Sequence, residues 1–378
     1  MRIFAFGSSL ISSYWNGAAT YYRGIYKNLA RLGHQITFAE PDVYGRQEHR
    51  DFETIEYARV RVYRTPGDLE RVLAEACEAE LVIKHSGVGR DDDRLEAEVL
   101  NCGGRGRRVA FWDVDAPATL ARLARDAADP FHRLIPRYDF VFTYGGGPPV
   151  IANYLQLGAR NCFPIYNALD PDTHIPVPAE ERFRCDLVFL GNRMPDREAR
   201  VEQFFFQAAE AAPQFNFLLG GEGWGGKRLP NNVRWMGHVG TAAHNVVNSS
   251  ARMVLNINRE SMASVGFSPP TRVFEAAGAA ACLVTDAWTG VEEFFAPGKE
   301  ILVAWSAQDI VRYLRDVAPE QARRIGSAMR ARALSEHTYE LRANQLHRLL
   351  GEHSQKARGE QGAVDSGPLR ALVCEEAE

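Results

Sequence analysis

Short apolar strands alternate with amphipathic helices along this chain, and the alternation stops once and then begins again. Between the first two strands, apolar side chains recur at helical spacing over residues 18–32, and Gly33 follows as a C-terminal cap. Strands that alternate with helices predict a parallel, doubly wound sheet. In the first part of the chain, we predict strands at 2–6, 35–40, 81–85, 107–113 and 138–144.

The interruption lies at residues 166–183, where three prolines stand in a polar stretch and predict a semi-rigid linker. A chain of 378 residues is also too long for one ordinary core. We therefore predict an α/β fold with two Rossmann-like domains, residues 1–165 and 184–350, that face a central cleft. Residues 351–378 lack periodicity and predict a flexible tail. After the linker, strands are predicted at 185–192, 215–221, 232–239, 252–258, 282–287 and 300–305.

Charge and composition exclude several classes of partner. A net charge of −4 argues against nucleic acid held by electrostatic attraction. The 6 cysteines show no CxxC pair and no metal-ligand spacing, so we expect reduced, mostly buried thiols. No signal-peptide pattern and no apolar run long enough to cross a membrane is present, which predicts a cytoplasmic protein without a transmembrane segment. Peripheral membrane contact stays open.

The segment "SPPTRVFEAAGAAA" (268–281) combines a proline entrance, two charged residues and a run of alanines. Arg272 and Glu275 are three residues apart and so share one face of the first helical turns. A carboxylate there can accept hydrogen bonds from the two hydroxyls of a ribose, while the helix N-terminus and the arginine favour phosphate. The alternative is a plain Arg–Glu pair that caps a core helix, and the motif alone does not decide between the two.

The stretch "TRVFEAAGAAACLVTDAWTGVEEFF", together with "CDLVFLGN" and "FWDVDAPATL", resembles GT-B glycosyltransferases, most closely the CgeB-like (spore maturation) type. The resemblance covers most of the chain. It implies an N-terminal acceptor domain and a C-terminal donor domain that binds a UDP-, GDP- or dTDP-linked sugar. It also implies transfer to a hydroxyl-bearing acceptor, either a small molecule, a glycan or a protein, with no cofactor and no required metal.

By position, the resemblance implies that Glu275 holds the ribose and Arg272 approaches the diphosphate. It further places Gly191, Asn192 and Arg193 beside the phosphates. One departure concerns a second glutamate that many retaining relatives carry near the donor sugar, because Phe267 stands at that position. Trp224 in "GGEGWGG" is a candidate contact for the base or sugar, although such glycine-rich loops are often only turns.

Candidate catalytic groups follow two strands of the first domain. His85 ends the strand "LVIKH" and could face the cleft or be a satisfied core histidine. Asp113 is a candidate base for the acceptor hydroxyl, and Trp112 a candidate stacking plane for a sugar. Asp115 could serve the acceptor or cap the next helix. The remaining histidines, among them His244, show no pattern and are interpreted as incidental.

The loop "GSSLISSYWNG" (7–17) follows the first strand and is expected to border the cleft. It has neither of the common glycine-rich phosphate-loop patterns, so an ordinary polar loop is an equal alternative. Its candidate acceptor contacts are Ser8, Trp15, Asn16 and Gly17.

The function expected from all of these features is transfer of a sugar from a nucleotide-sugar donor to an acceptor hydroxyl in the cleft between the domains. Two alternatives stay open. One is a nucleotide-sugar epimerase or hydrolase of the same fold, and the other is a catalytically inactive nucleotide-sugar-binding partner protein.

Overall fold

Two open parallel sheets form the centre of the protein, which is described over residues 1–104 and 106–364 by a computed structural model. The strands of the first sheet are β1 (Arg2–Phe6), β2 (Gln35–Pro41), β3 (Arg59–Tyr63), β4 (Leu81–His85), β5 (Arg108–Asp113), β6 (Phe140–Thr143) and β7 (Cys162–Pro164). Those of the second are β8 (Cys185–Leu190), β9 (Phe217–Gly220), β10 (Val233–Trp235), β11 (Ala251–Asn256), β12 (Leu283–Asp286) and β13 (Leu302–Ala304).

Helices connect the strands and cover both faces of each sheet. Those of the first half are α1 (Ala19–Arg31), α2 (Pro66–Ala76), α3 (Asp92–Glu98), α4 (Ala116–Arg125), α5 (Phe131–Leu134) and α6 (Gly147–Gln156). Those of the second half are α7 (Pro195–Val201), α8 (Gln207–Ala211), α9 (Thr241–Ser250), α10 (Glu260–Val265), α11 (Thr271–Gly278), α12 (Ala307–Asp316), α13 (Pro319–Glu336) and α14 (Tyr339–Val364).

The strand orders are those of doubly wound sheets, β3-β2-β1-β4-β5-β6-β7 and β10-β9-β8-β11-β12-β13. Each order reverses beside the first strand of its sheet, at β1–β4 and at β8–β11, and every pairing is parallel. Ligands bind such sheets beyond the carboxyl ends of the strands at this reversal. The predicted α/β class is confirmed, and the short edge strands β3 and β7 are additions to the predicted set.

The last helix returns to the first sheet. Tyr339 and Leu346 of α14 are buried in the core formed by α1 and one face of that sheet. A Cβ at Gly24 of α1 would overlap the Tyr339 ring, so glycine is required where the two helices cross. This packing differs from the predicted division, which placed all residues to 350 in the second domain. The helix also continues to Val364, past the predicted start of a flexible tail at 351, and residues 365–378 lie outside the described part.

One cysteine prediction is wrong. Cys77, at the end of α2, and Cys102 form a disulfide across 25 residues of sequence. Their spacing carries no pairing signal, and only the packing of α2 against the short 3-10 helix at Val99–Cys102 brings the two thiols together. Cys162 and Cys282 are free and buried, and Cys185 is free and half-buried. A disulfide is typical of an oxidising compartment, so this pair does not agree with the predicted reduced thiols.

Candidate active site

The carboxyl ends of the two sheets meet across a cleft, and three contacts close one side of it. The backbone N–H of Gly146 donates to the carbonyl oxygen of Phe267 at 2.9 Å. Asn167 Nδ2 donates to the carbonyl oxygen of Pro269 at 3.0 Å. Arg259 Nη1 lies 2.8 Å from Asp115 Oδ2. The cleft is therefore lined by the loops after β5 and β6 on one side and by the chain around α10 and α11 on the other.

Phe267 belongs to this contact between the domains. It has a left-handed backbone with φ of 47°, and its ring fills the space left by Gly147 and Gly290, where a Cβ would overlap it. The position at which many retaining relatives would carry a glutamate is thus occupied by a packing residue.

Glu275 lies on α11, which begins after Pro270, and its side chain is only 6% exposed. Arg272 Nη1 is 2.7 Å from its Oε2, and His244 Nδ1 is 3.3 Å from the same atom. Burial alone would raise the pKa of Glu275, but its electrostatic interactions with Arg272, His244 and His174 outweigh burial and hold the pKa below its usual range. Glu275 is therefore an ionised carboxylate, able only to accept hydrogen bonds.

Arg272, the partner of Glu275, has two further arginines near it, Arg197 and Arg259. Burial, and then the charges of Arg272 and Arg259, lowers the pKa of Arg197 to about 10. The Nε atoms of Arg197 and Arg272 are buried and have no hydrogen-bond partner within the described residues. Arg259 reaches Asp196 at 2.9 Å as well as Asp115. Three neighbouring guanidinium groups, two of them with unused donors, form a site for an anion with several oxygens.

Sequence reasoning missed Arg197, Arg259 and His244. His244 was interpreted as incidental, and its position on α9 places it against Glu275 instead. The positions of the two arginines carry a weak signal, since Arg197 follows the loop after β8 and Arg259 follows β11. The loop after β8 was expected beside the phosphates, but nothing in the spacing selected these arginines from the others.

The predicted phosphate loop at 191–193 is held by its own neighbours. The Gly191 carbonyl accepts from Trp224 Nε1 at 2.8 Å, and Asn192 Oδ1 accepts from the Glu222 N–H at 3.0 Å. Arg193 pairs with Glu198 at 2.6 Å and is exposed enough to turn elsewhere. Trp224 is 1% exposed in the core, which corrects the expected contact with the base or sugar, because its only polar group already anchors the loop.

His85, Trp112 and Asp113 are enclosed in the first domain, which corrects their predicted cleft roles. His85 Nε2 shares a hydrogen bond of 2.6 Å with the Tyr26 hydroxyl, and burial lowers the pKa of His85 far below its ordinary value. Trp112 donates its Nε1 hydrogen to the Tyr21 hydroxyl at 3.0 Å, beneath α1. The side chains of His85 and Trp112, at the ends of the central strands β4 and β5, pack against α1 and are shielded from solvent.

Asp113 is fully buried, and both of its carboxylate oxygens accept hydrogen bonds. Ser86 Oγ donates to Oδ1 at 2.7 Å and the Tyr154 hydroxyl donates to Oδ2 at 2.5 Å. Burial raises the pKa of Asp113. The carboxylate ties the ends of β4 and β5 to α6 and does not reach an acceptor. Asp115, before α4, is partly exposed at the cleft, where Arg259 holds it.

The loop at 7–17 is ordered by its own polar groups. Ser8 Oγ donates to Asn16 Oδ1 at 2.8 Å, and Asn16 Nδ2 donates to the Ser9 carbonyl at 2.8 Å. These two side chains are buried, so they shape the loop rather than face a ligand. Trp15 and Gly17 are exposed.

Solved structures similar to this chain share the whole two-sheet arrangement. HepE from Anabaena, in complex with UDP and glucose, is 14% identical with a TM-score of 0.67, over 93% of this chain and 100% of that one. Sucrose-phosphate synthase from Thermosynechococcus elongatus is 15% identical with a TM-score of 0.65, over 93% and 99%. The chain has the GT-B fold.

A third GT-B structure is an alpha-glucosyltransferase in complex with UDP and a 13-mer DNA containing a HMU base. It is 10% identical with a TM-score of 0.68, over 93% of this chain and 99% of that one. A family model described as glycosyl transferase-like matches residues 197–348 of the GT-B chain. That segment contains Arg197, His244, Arg259, Arg272 and Glu275. No curated protein matches the chain in sequence.

The described part of this GT-B chain shows neither a metal-binding cluster nor a membrane-spanning helix. Within residues 1–104 and 106–364, no group of three or more His, Cys, Asp or Glu side chains is placed to hold a metal ion. The Asp-x-Asp spacing at Asp113 and Asp115 does not form one, since Asp113 is bonded to Ser86 and Tyr154. Among the same residues, no helix is both long and apolar enough to cross a membrane.

Proposed function

We propose that this protein is a glycosyltransferase that moves a sugar from a nucleotide-sugar donor to an acceptor hydroxyl in the cleft between the two sheets. The observation that carries the proposal is the ionised, buried Glu275 on α11, with Arg272 beside it and Arg197 near Arg272. This arrangement lies inside the segment that matches the glycosyl transferase-like model.

Each group in this site has a task in the proposed reaction. Glu275 accepts hydrogen bonds from the ribose hydroxyls, which suits a carboxylate kept ionised by its cationic neighbours. Arg272, Arg197 and the N-terminus of α11 hold the diphosphate, and their positive charge stabilises it as it leaves the sugar. These arginines supply the charge that a metal ion would otherwise supply, so we propose transfer without a metal or cofactor.

UDP is the first nucleotide to test, because the similar HepE and alpha-glucosyltransferase structures are both complexes with UDP. Glucose in the HepE complex supports a hexosyl donor. Glu275 is nearly buried in the closed cleft, so we infer that the donor enters an open form and that the domains then close over it. Membership of the CgeB-like type and a cytoplasmic location stay predictions.

The test is the thermal stability of the protein with UDP, GDP, dTDP and their sugar conjugates. A nucleotide at 100 times its dissociation constant should stabilise the protein by about 2.7 kcal/mol, a shift of a few degrees. We expect the shift with one nucleotide family and its loss in Glu275→Ala. Glu292→Ala is the control, because Glu292 is an exposed acid on the same half of the chain.

No shift with any nucleotide, in a protein that melts cooperatively, would refute the donor site. Release of the nucleoside diphosphate only when an acceptor is added separates a transferase from a hydrolase. Tight binding with no turnover under any acceptor would instead favour an inactive binding protein. No observation in the structure favours either of these alternatives.

A further inference from the structure

A second cavity lies in the first domain, between the loops that follow β1 and β2. It has a volume of about 470 Å³ and is lined by Tyr14, Trp15, Tyr44 and Arg46. A cavity of this size accommodates one or two sugar rings. The sequence marked only Trp15 of these four residues, because Tyr44 and Arg46 come from a distant loop.

The aromatic rings of this cavity are left exposed to solvent. Trp15 is 60% exposed and Tyr44 is 62% exposed, while Tyr14 is 36% exposed and stacks on His49 with ring centres 4.0 Å apart. Large rings normally bury their apolar faces, and a group of them around one cavity marks a binding surface.

The backbone beneath the two most exposed rings is strained. Trp15 has φ of 47° and Tyr44 has φ of 58°, in the left-handed region that bulky side chains rarely adopt. Such strain persists only where the surroundings impose it, and it concentrates at functional sites. Both strained residues line the same cavity.

Arg46, buried beneath the two rings, contacts both loops that carry the strained residues. Its Nη1 donates to the Ser8 carbonyl at 3.1 Å and its Nη2 donates to the Trp15 carbonyl at 3.3 Å. Its guanidinium also lies 5.1 Å from the centre of the Tyr44 ring. Arg46 is only 6% exposed, and its Nε has no hydrogen-bond partner within the described residues. Arg46 therefore ties the loop after β2 to the loop after β1 beneath the cavity.

The cavity lies on the same edge of the sheet as the cleft. It is built after β1 and β2, and Asp115 follows β5, with only β4 between β1 and β5. At about 4.8 Å between neighbouring strands, the ends of β1 and β5 are roughly 10 Å apart. A molecule with two or three rings could fill the cavity and still reach the cleft at Asp115.

We propose that this cavity is the acceptor site and that the acceptor is a neutral saccharide, one ring of which stacks on Trp15 and Tyr44. A pyranose has an apolar C–H face that fits an aromatic ring, and its hydroxyl edge can stay hydrogen-bonded to water at the open side of the cavity. The exposed, half-polar cavity suits such a ligand better than a lipid chain, which requires a dry, enclosed pocket. This inference rests on the proposed function and names its acceptor.

The test is calorimetric titration of the protein, saturated with UDP, with maltose, cellobiose, lactose and chitobiose, and with p-nitrophenol as a phenolic acceptor. We expect at least one disaccharide to bind. Removal of a ring in Trp15→Ala or Tyr44→Ala should weaken that binding by about tenfold or more, as for an aromatic anchor. Trp15→Phe and Tyr44→Phe keep a ring at the same backbone position and should stay within about threefold of the parent protein.

The UDP titration separates the two proposals. If UDP binds but none of the disaccharides does, the saccharide inference fails and the donor site stands. The saccharide inference also fails if saccharide binding is unchanged in Trp15→Ala and in Tyr44→Ala. It fails as well if p-nitrophenol binds and no disaccharide does. If UDP itself fails to bind, the proposed function fails first. Both alanine variants remove exposed side chains, so an unchanged melting temperature is the check that they fold.

Discussion

Replacement of Glu275 by glutamine removes the negative charge that faces Arg272, His244 and His174 while it preserves the size of the side chain. At the 2.7 Å between Arg272 Nη1 and Glu275 Oε2, Coulomb's law with an effective dielectric constant of 20 gives an attraction of about 6 kcal/mol. Desolvation offsets part of it, and loss of one partner from a buried pair typically destabilises a protein by about 3–5 kcal/mol. We expect Glu275→Gln to lower the melting temperature by roughly 4–6 °C.

The same substitution should weaken UDP binding by a separate mechanism. A carboxylate accepts a hydroxyl hydrogen bond more strongly than an amide oxygen does, by about 1 kcal/mol for each bond. Two ribose hydroxyls therefore predict a dissociation constant about 10–30 times higher, which calorimetry would measure. Glu292→Gln, at an exposed acid, should change neither quantity. A lower melting temperature with unchanged UDP affinity would refute the ribose role and leave Glu275 as the charge partner of Arg272 in a core helix.

Three further predictions concern other parts of the molecule. Burial, and then the charge of Arg342, lowers the pKa of His337 to about 4. The stability that the neutral His337 contributes is therefore complete above pH 6.5 and is lost as the pH falls toward 4. Urea unfolding at pH 7 and pH 5 should show this loss of stability, and the loss should be smaller in His337→Gln. Reduction of the Cys77–Cys102 disulfide, which spans 25 residues, should lower the free energy of unfolding by about 3 kcal/mol, and equal stability with and without dithiothreitol would contradict the pairing. Arg259→Ala removes the ion pair to Asp115 across the cleft, so the two domains should separate more often and small-angle scattering should show a larger radius of gyration. Arg193→Ala breaks an ion pair within one domain and should leave the radius of gyration unchanged.

The alternation of elements and the segment around Glu275 were predictable because their signals are local. A parallel strand buried on both faces needs a continuous apolar run, and β4, β5 and β6 have one. Arg272 and Glu275 are three residues apart on one helix, so their proximity follows from helical geometry alone. The same reasoning placed the loop after β1 at the cleft.

Side-chain direction at the ends of strands was not predictable in the same way. His85 and Asp113 each end a strand at the cleft edge, but both point into packed layers, where Tyr26 and Tyr154 bond them. Trp224 looked exposed in a glycine-rich loop, yet its indole N–H anchors Gly191. A local pattern shows where the chain turns, but it does not show which partner satisfies a polar group.

The sequence by itself determined the two-sheet architecture and the helix that carries Arg272 and Glu275, since the alternation of strands with helices and the spacing of three residues are both local patterns. Only the tertiary structure decided which charges surround that carboxylate. His244 reaches Glu275 from α9, whereas Arg197 and Arg259 follow β8 and β11 and lie near each other because those neighbouring strands end at the same edge of the sheet. The aromatic cavity has the same origin, because Trp15 and Tyr44 are far apart in sequence and a single buried arginine, Arg46, holds their loops together.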